Sequence, residues 1–171
     1  QRIIEGRHSH GGECGHIIIQ MENGRRCSCG GYGHLEAYAS ATALVKRAQE
    51  LLEDESNRST LRDVPDDELT SRAINDAADL GDALARRLMR ETAFYLAVGA
   101  VTLMHTIDPD IVLFGGGMIN AGPSFLEEIR QHVEKMAFPT VAKGCKIKYA
   151  ELGGDAGFIG AAGSAREAFG R

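Results

Sequence analysis

Two thiols and two imidazoles fall within one short stretch of this chain, at His16, Cys27, Cys29 and His34. Thiolate sulfur and imidazole nitrogen are the donors tetrahedral zinc takes, and four of them complete a structural site. Cys27 and Cys29 flank a single residue on a segment that also holds Gly30, Gly31 and Gly33, so a tight turn can bring both sulfurs together. A predicted strand over residues 16–21, β-branched and bounded by Gly15 and Asn23-Gly24, carries His16 across to them. The spacing is not that of a zinc finger. The two cysteines alone also fit plain loop thiols or a redox pair, and lone histidines are ordinarily surface residues; both imidazoles in register favour zinc. Cys14 and Cys145 read as ordinary thiols, and no disulfide framework is expected.

Carboxylates flank this cluster at Glu13 and Glu36. A carboxylate accepts hydrogen bonds from pairs of hydroxyls and so orients a polyol as well as holding it. The plainer readings are a solvated loop acid at Glu13 and, at Glu36, a residue favoured by the start of a helix. A second candidate lies at Gly115-Gly116-Gly117, directly after the apolar run Ile111–Phe114. A glycine loop at a strand end lets a phosphate approach backbone amides. The same pattern also makes a tight strand-to-helix turn. Residues 153–157, Gly-Gly-Asp-Ala-Gly, read as a packing turn that borders the same strand ends.

The elements that must position these groups follow from periodicity. Residues 2–5 read as a strand end. Residues 35–52 read as one amphipathic helix, and residues 53–63 as a polar surface loop. Asp66 and Asp67 supply first-turn acids for a helix through Ile74 that Gly81 breaks. A long, largely buried helix runs from Asp82 to Ile107, where Asp108-Pro109 stops it. Then come a buried parallel strand over 111–114, a helix over 123–136 with Phe125, Leu126, Ile129 and Val133 on one stripe, a strand over 146–150, and a small-residue helix. Strand, glycine loop and helix, repeated, describe an α/β domain with ligands at the strand ends.

Taken in order, Glu13-Cys14-Gly15-His16, Cys27-Ser28-Cys29-Gly30, Gly33-His34-Leu35-Glu36 and Ile111-Val112-Leu113-Phe114-Gly115-Gly116-Gly117 resemble the ROK (repressor, open reading frame, kinase) family of sugar kinases over essentially the whole chain. The resemblance implies a ribonuclease-H-like (actin-like ATPase) fold. Residues 1–171 would be a single domain, the C-terminal lobe of a bilobal hexose kinase with a zinc-stapled loop. It implies that Glu13, His16 and Glu36 contact the sugar, with His16 also joining Cys27, Cys29 and His34 on a structural zinc. It further implies that Gly115, Gly116 and Gly117 touch ATP, delivered with magnesium in the complete enzyme.

Three departures accompany it. His34 stands where the family usually has a third cysteine, the segment between Gly6 and Gly12 is shorter than the family's loop, and the N-terminal lobe with its phosphate loop and catalytic aspartate is not in this sequence. Asn75-Asp76-Ala77 is similar to the string that holds the family's catalytic aspartate, but it falls after the cysteine motif and inside a predicted helix. No catalytic residue is therefore assigned, and the chain alone is expected not to catalyse.

Composition sets the outer bounds. With 171 residues, 43% hydrophobic and 25% charged, the chain is sized for one globular domain. It holds no apolar run of the ~18 residues a membrane span needs. The 19 Lys and Arg are scattered and the net charge is −5, so no nucleic-acid footprint is present. No leader resembling a signal peptide is seen, and a cytoplasmic setting is expected. The expected partners are a hexose, ATP, the N-terminal lobe and a second copy in a homodimer. The alternative is the sugar-sensing domain of a ROK-family transcriptional repressor, and a zinc-stapled interaction module is a third reading that Glu13 and Glu36 argue against.

Overall fold

In the computed structural model, which describes residues 3–4 and 6–170, one long helix organises everything else. Helix α4, Ala83–Ile107, is about 37 Å long at 1.5 Å per residue. Asp82 caps its start by accepting from the Ala85 amide at 2.9 Å, and Asp108, left-handed at φ 45°, ends it before Pro109. Its buried residues Leu84, Ala85, Leu88, Met89, Ala93, Ala97, Ala100 and Met104 recur at helical spacing. They face α1 (Glu36–Ala39), α2 (Ala41–Leu52), α3 (Ser71–Asp79) and α5 (Gly122–Met136). Together these helices enclose the core with Leu44, Leu61, Ile74, Ile129 and Val133.

Strands β1 (Ile111–Phe114) and β2 (Lys146–Tyr149) pair in parallel, from Ile111 opposite Lys146 to Phe114 opposite Tyr149. Between them α5 is followed by a short helix α6, Pro139–Gly144, which the periodicity did not suggest. Val112 and Ile147 point into the core. Ile111 and Leu113 are 40% and 55% exposed, so β1 is buried on one face only, not on both as its continuous apolar run predicts. Both strands run into glycine turns at their C-terminal ends, residues 116–121 after β1 and 153–155 after β2, and these two turns touch. Helix α7, Ala156–Phe169, follows with no buried residue.

Several expectations are corrected. Residues 16–21 form no strand; Cys14–His16 is a single 3-10 turn, and only Ile18 pairs, opposite His34. Glycines on both sides leave this segment held by isolated bonds rather than by a ladder. The helix over 35–52 is broken at Ser40, whose extended backbone ends α1 and whose hydroxyl caps α2 by accepting from Ala43 at 3.1 Å. The helix after Pro65 starts at Ser71, capped by Thr70, while Asp66 and Asp67 lie in the preceding turn. The loop over 53–63 is not wholly superficial, since Leu61 is 1% exposed. The strand end expected at residues 2–5 falls partly outside the described residues, and Ile3 and Ile4 within it form no strand.

Candidate functional site

The Cys27–Gly33 turn is built by backbone bonds that its glycines permit. The Cys27 amide donates to Gly31 O at 2.8 Å, Gly30 N–H to Cys27 O at 3.0 Å, and Gly33 N–H to Arg25 O at 2.9 Å. Gly33 sits at φ 75°, and a side chain there would meet Gln20 O at 1.9 Å. Its carbonyl in turn accepts from the Ile19 and Gln20 amides. Arg25 fastens this turn to the helices: its guanidinium forms two bonds to Glu50 on α2, at 2.7 and 2.5 Å, and its Nε donates to Ala37 O. The bond to Arg25 holds the Glu50 carboxyl below the usual carboxylate range.

On this frame His16, Cys27, Cys29 and His34 converge, one ligand atom from each lying within 4.8 Å of all the others. Cys27 Sγ stands 3.8 Å from His16 Nδ1, and Cys29 Sγ 3.2 Å from His34 Nδ1. The edges of a tetrahedron with zinc-to-ligand bonds of about 2.0–2.3 Å are about 3.3–3.8 Å. The donor set and the separations therefore fit a tetrahedral zinc with small closure of the remaining edges. A side chain at Gly31 would meet the His34 ring at 2.6 Å, so the ring would have to shift to admit one.

Both imidazoles turn Nδ1 toward the sulfurs, which leaves His16 Nε2 facing outward, 3.9 Å from Glu13 Oε2. Glu36, the first residue of α1, brings its carboxylate to the turn: Oε1 accepts from Ser28 at 2.6 Å and faces the Cys27 sulfur at 3.8 Å. Each of the three residues singled out for a polyol thus belongs to the cluster or borders it: Glu13 faces His16, and Glu36 faces Cys27. Ser28 and Arg25 belong to the same neighbourhood. The position of Ser28 between the two cysteines was a readable signal; nothing in the local sequence pairs Arg25 with Glu50.

Gly115–Gly117 lies apart from the cysteine turn but near the same helix junction. A side chain at Gly117 would meet Ala41, the first residue of α2, at 3.1 Å, and one at Gly115 would meet Ala150 at 3.8 Å. The loop thus runs between the C-terminal end of the sheet and the start of α2, where ligands of α/β sheets gather. Asp76 lies on α3, exposed, beside Arg72 at 3.8 Å.

The chain thus combines an α/β architecture, glycine turns at adjacent strand ends and a Cys/His cluster with carboxylates beside it. The family model of the ROK family matches residues 1–168. The chain belongs to the ROK family. It is 37% identical to a glucokinase of Halalkalibacterium halodurans over 92% of this chain and 48% of that protein. It is 27% identical to a xylose repressor of Bacillus spizizenii over 92% of this chain and 37% of that protein. Among solved structures, it is similar to a ROK family glucokinase from Streptomyces griseus in complex with glucose and AMPPNP, with TM-score 0.80 and 32% identity over 97% of this chain and 55% of that one. The chain spans about half the length of the curated glucokinases it matches.

Proposed function

We propose that this chain is the C-terminal lobe of an ATP-dependent hexose kinase, and that it supplies the sugar rim and part of the nucleotide site. The observation that carries the reading is the common placement of Glu13, His16 and Glu36 beside a four-donor cluster. Zinc held by His16, Cys27, Cys29 and His34 would fix the turn and the aim of the His16 ring. The chain's own groups do the rest. Glu36 and Glu13 accept sugar hydroxyls, and His16 Nε2 adds a third polar contact, so that three directions orient the ring. Gly115–Gly117 offers backbone to the nucleotide with no side chain in the way. No general base is assigned here; the acceptor hydroxyl's proton partner would come from the rest of a complete kinase. Self-association as a homodimer and a cytoplasmic setting belong to the same reading.

The xylose repressors among the relatives support a second reading, a sugar-sensing domain in which the same rim binds sugar without transferring phosphate. Elemental analysis joined to calorimetric titration with glucose tests what the two readings share. One zinc per chain, lost in His34→Ala, and glucose binding abolished in Glu36→Ala are the expected results. A folded, metal-free chain that binds no glucose would overturn both. A glucose-dependent transfer from ATP by the complete protein separates kinase from sensor.

A further inference from the structure

We infer that Ser28 is a positioning residue for the sugar-binding carboxylate of Glu36. This rests on the reading of Glu36 given above and adds to it a residue that is neither a metal ligand nor a sugar contact. Ser28 is exposed, and its hydroxyl donates to Glu36 Oε1 at 2.6 Å. That is the length of a charge-assisted O–H···O⁻ bond, about twice as strong as a neutral one.

Glu36 Oε2 lies beside Gly15, where a Cβ would stand at an ordinary van der Waals separation of 3.6 Å. Oε1 is thus held by the Ser28 hydroxyl, while Oε2 accepts no hydrogen bond among the described residues. Helix α1 cannot impose this by itself, because it is four residues long and Glu36 is its first residue. The hydroxyl can, because Ser28 sits between Cys27 and Cys29 in a turn closed by the bonds between Cys27 and Gly31 and between Gly30 and Cys27. A side chain with three torsions, anchored at one oxygen, loses most of its freedom before the sugar arrives, and preorganisation of this kind appears as affinity.

The experiment compares the metal-loaded chain with Ser28→Ala, Ser28→Thr and Glu36→Gln. Vicinal couplings measured by NMR without sugar should show one Glu36 χ1 rotamer in the native chain and in Ser28→Thr, and an average in Ser28→Ala at unchanged metal content. Glucose affinity should fall about tenfold in Ser28→Ala, return in Ser28→Thr, and vanish in Glu36→Gln. A single Glu36 rotamer in Ser28→Ala overturns the inference while leaving the sugar role of Glu36 intact. Loss of metal in Ser28→Ala also overturns it, since the hydroxyl would then be holding the turn. Native-like glucose binding by Glu36→Gln removes the functional reading, and the role of Ser28 with it.

Discussion

The glycines of the cysteine turn are not equivalent, and the differences set what each substitution should do. Gly30 lies at φ 91° with open space where a side chain would go, so Gly30→Ala carries only the left-handed backbone penalty of about 1–2 kcal/mol. Gly33 combines φ 75° with the Gln20 carbonyl at 1.9 Å, and Gly33→Ala should lower stability by about 3–4 kcal/mol, read from the urea midpoint. Gly31 has an ordinary φ, but a methyl there strikes the His34 ring. Gly31→Ala should therefore lower metal content more than it lowers stability, and equal metal content in the variant would show that the ring has room to move.

At this scale the sequence was legible in type and blind to pairing. The two cysteines and two histidines that converge, and the glycines that let them meet, stand out because thiols, imidazoles and glycine have few other reasons to cluster. The bond from Ser28 to Glu36 and the one from Arg25 to Glu50 join ordinary polar residues across a fold, and no local pattern announces them.

Among the elements, one buried guanidinium joins three helices. Arg47 on α2 is 5% exposed; it donates to Tyr38 O on α1 and Thr92 Oγ1 on α4, each at 3.0 Å, pairs with Glu91, and lies over the Tyr95 ring at 5.1 Å. Arg47→Ala should cost about 3 kcal/mol, because it leaves these buried acceptors without a donor, and the loss is read by thermal unfolding. The cap of α4 gives a pH signature instead. Burial of Asp82 opposes its ionisation, but bonds from the Ala85 and Thr60 amides and from the Ser59 and Thr60 hydroxyls outweigh it and hold the carboxyl below its ordinary value. A depressed carboxyl contributes stability above its unfolded pKa of ~3.9, and that contribution disappears as pH falls through the lower folded value. Asp82→Ala should cost about 1–2 kcal/mol near neutrality and flatten the loss of stability below about pH 4. A variant with the native acid profile would assign that profile to other groups.

Of the helices packed on α4, α5 is readable from period and buries the four residues its stripe predicts, whereas α1 and α2 read as one helix and α3 reads as starting earlier than it does. What the period missed were places where one residue overrides the pattern. Ser40 is a better cap than a helix interior residue, and its hydroxyl splits an otherwise continuous amphipathic run. Leu61 is a lone apolar residue in a charged loop, buried because Ser59 and Thr60 are tied down to Asp82.

Across the whole molecule the core is unevenly distributed. Its centre is the inward face of α4, the cysteine turn is held by its own backbone bonds and by Arg25, and α7 buries nothing. Among the described residues no helix is long and apolar enough to cross a membrane. The apolar residues Phe158, Ile159 and Phe169 of α7 are instead exposed to water.

That unevenness becomes a hierarchy of opening. Amides at the centre of α4 should exchange with deuterium only when the whole chain unfolds, because every neighbouring helix must leave first. Those of α7 should exchange by local fraying, orders of magnitude sooner. The Cys27–Gly33 turn should fall between them, and under the proposed zinc reading its amides are the ones whose protection should move when a chelator is added.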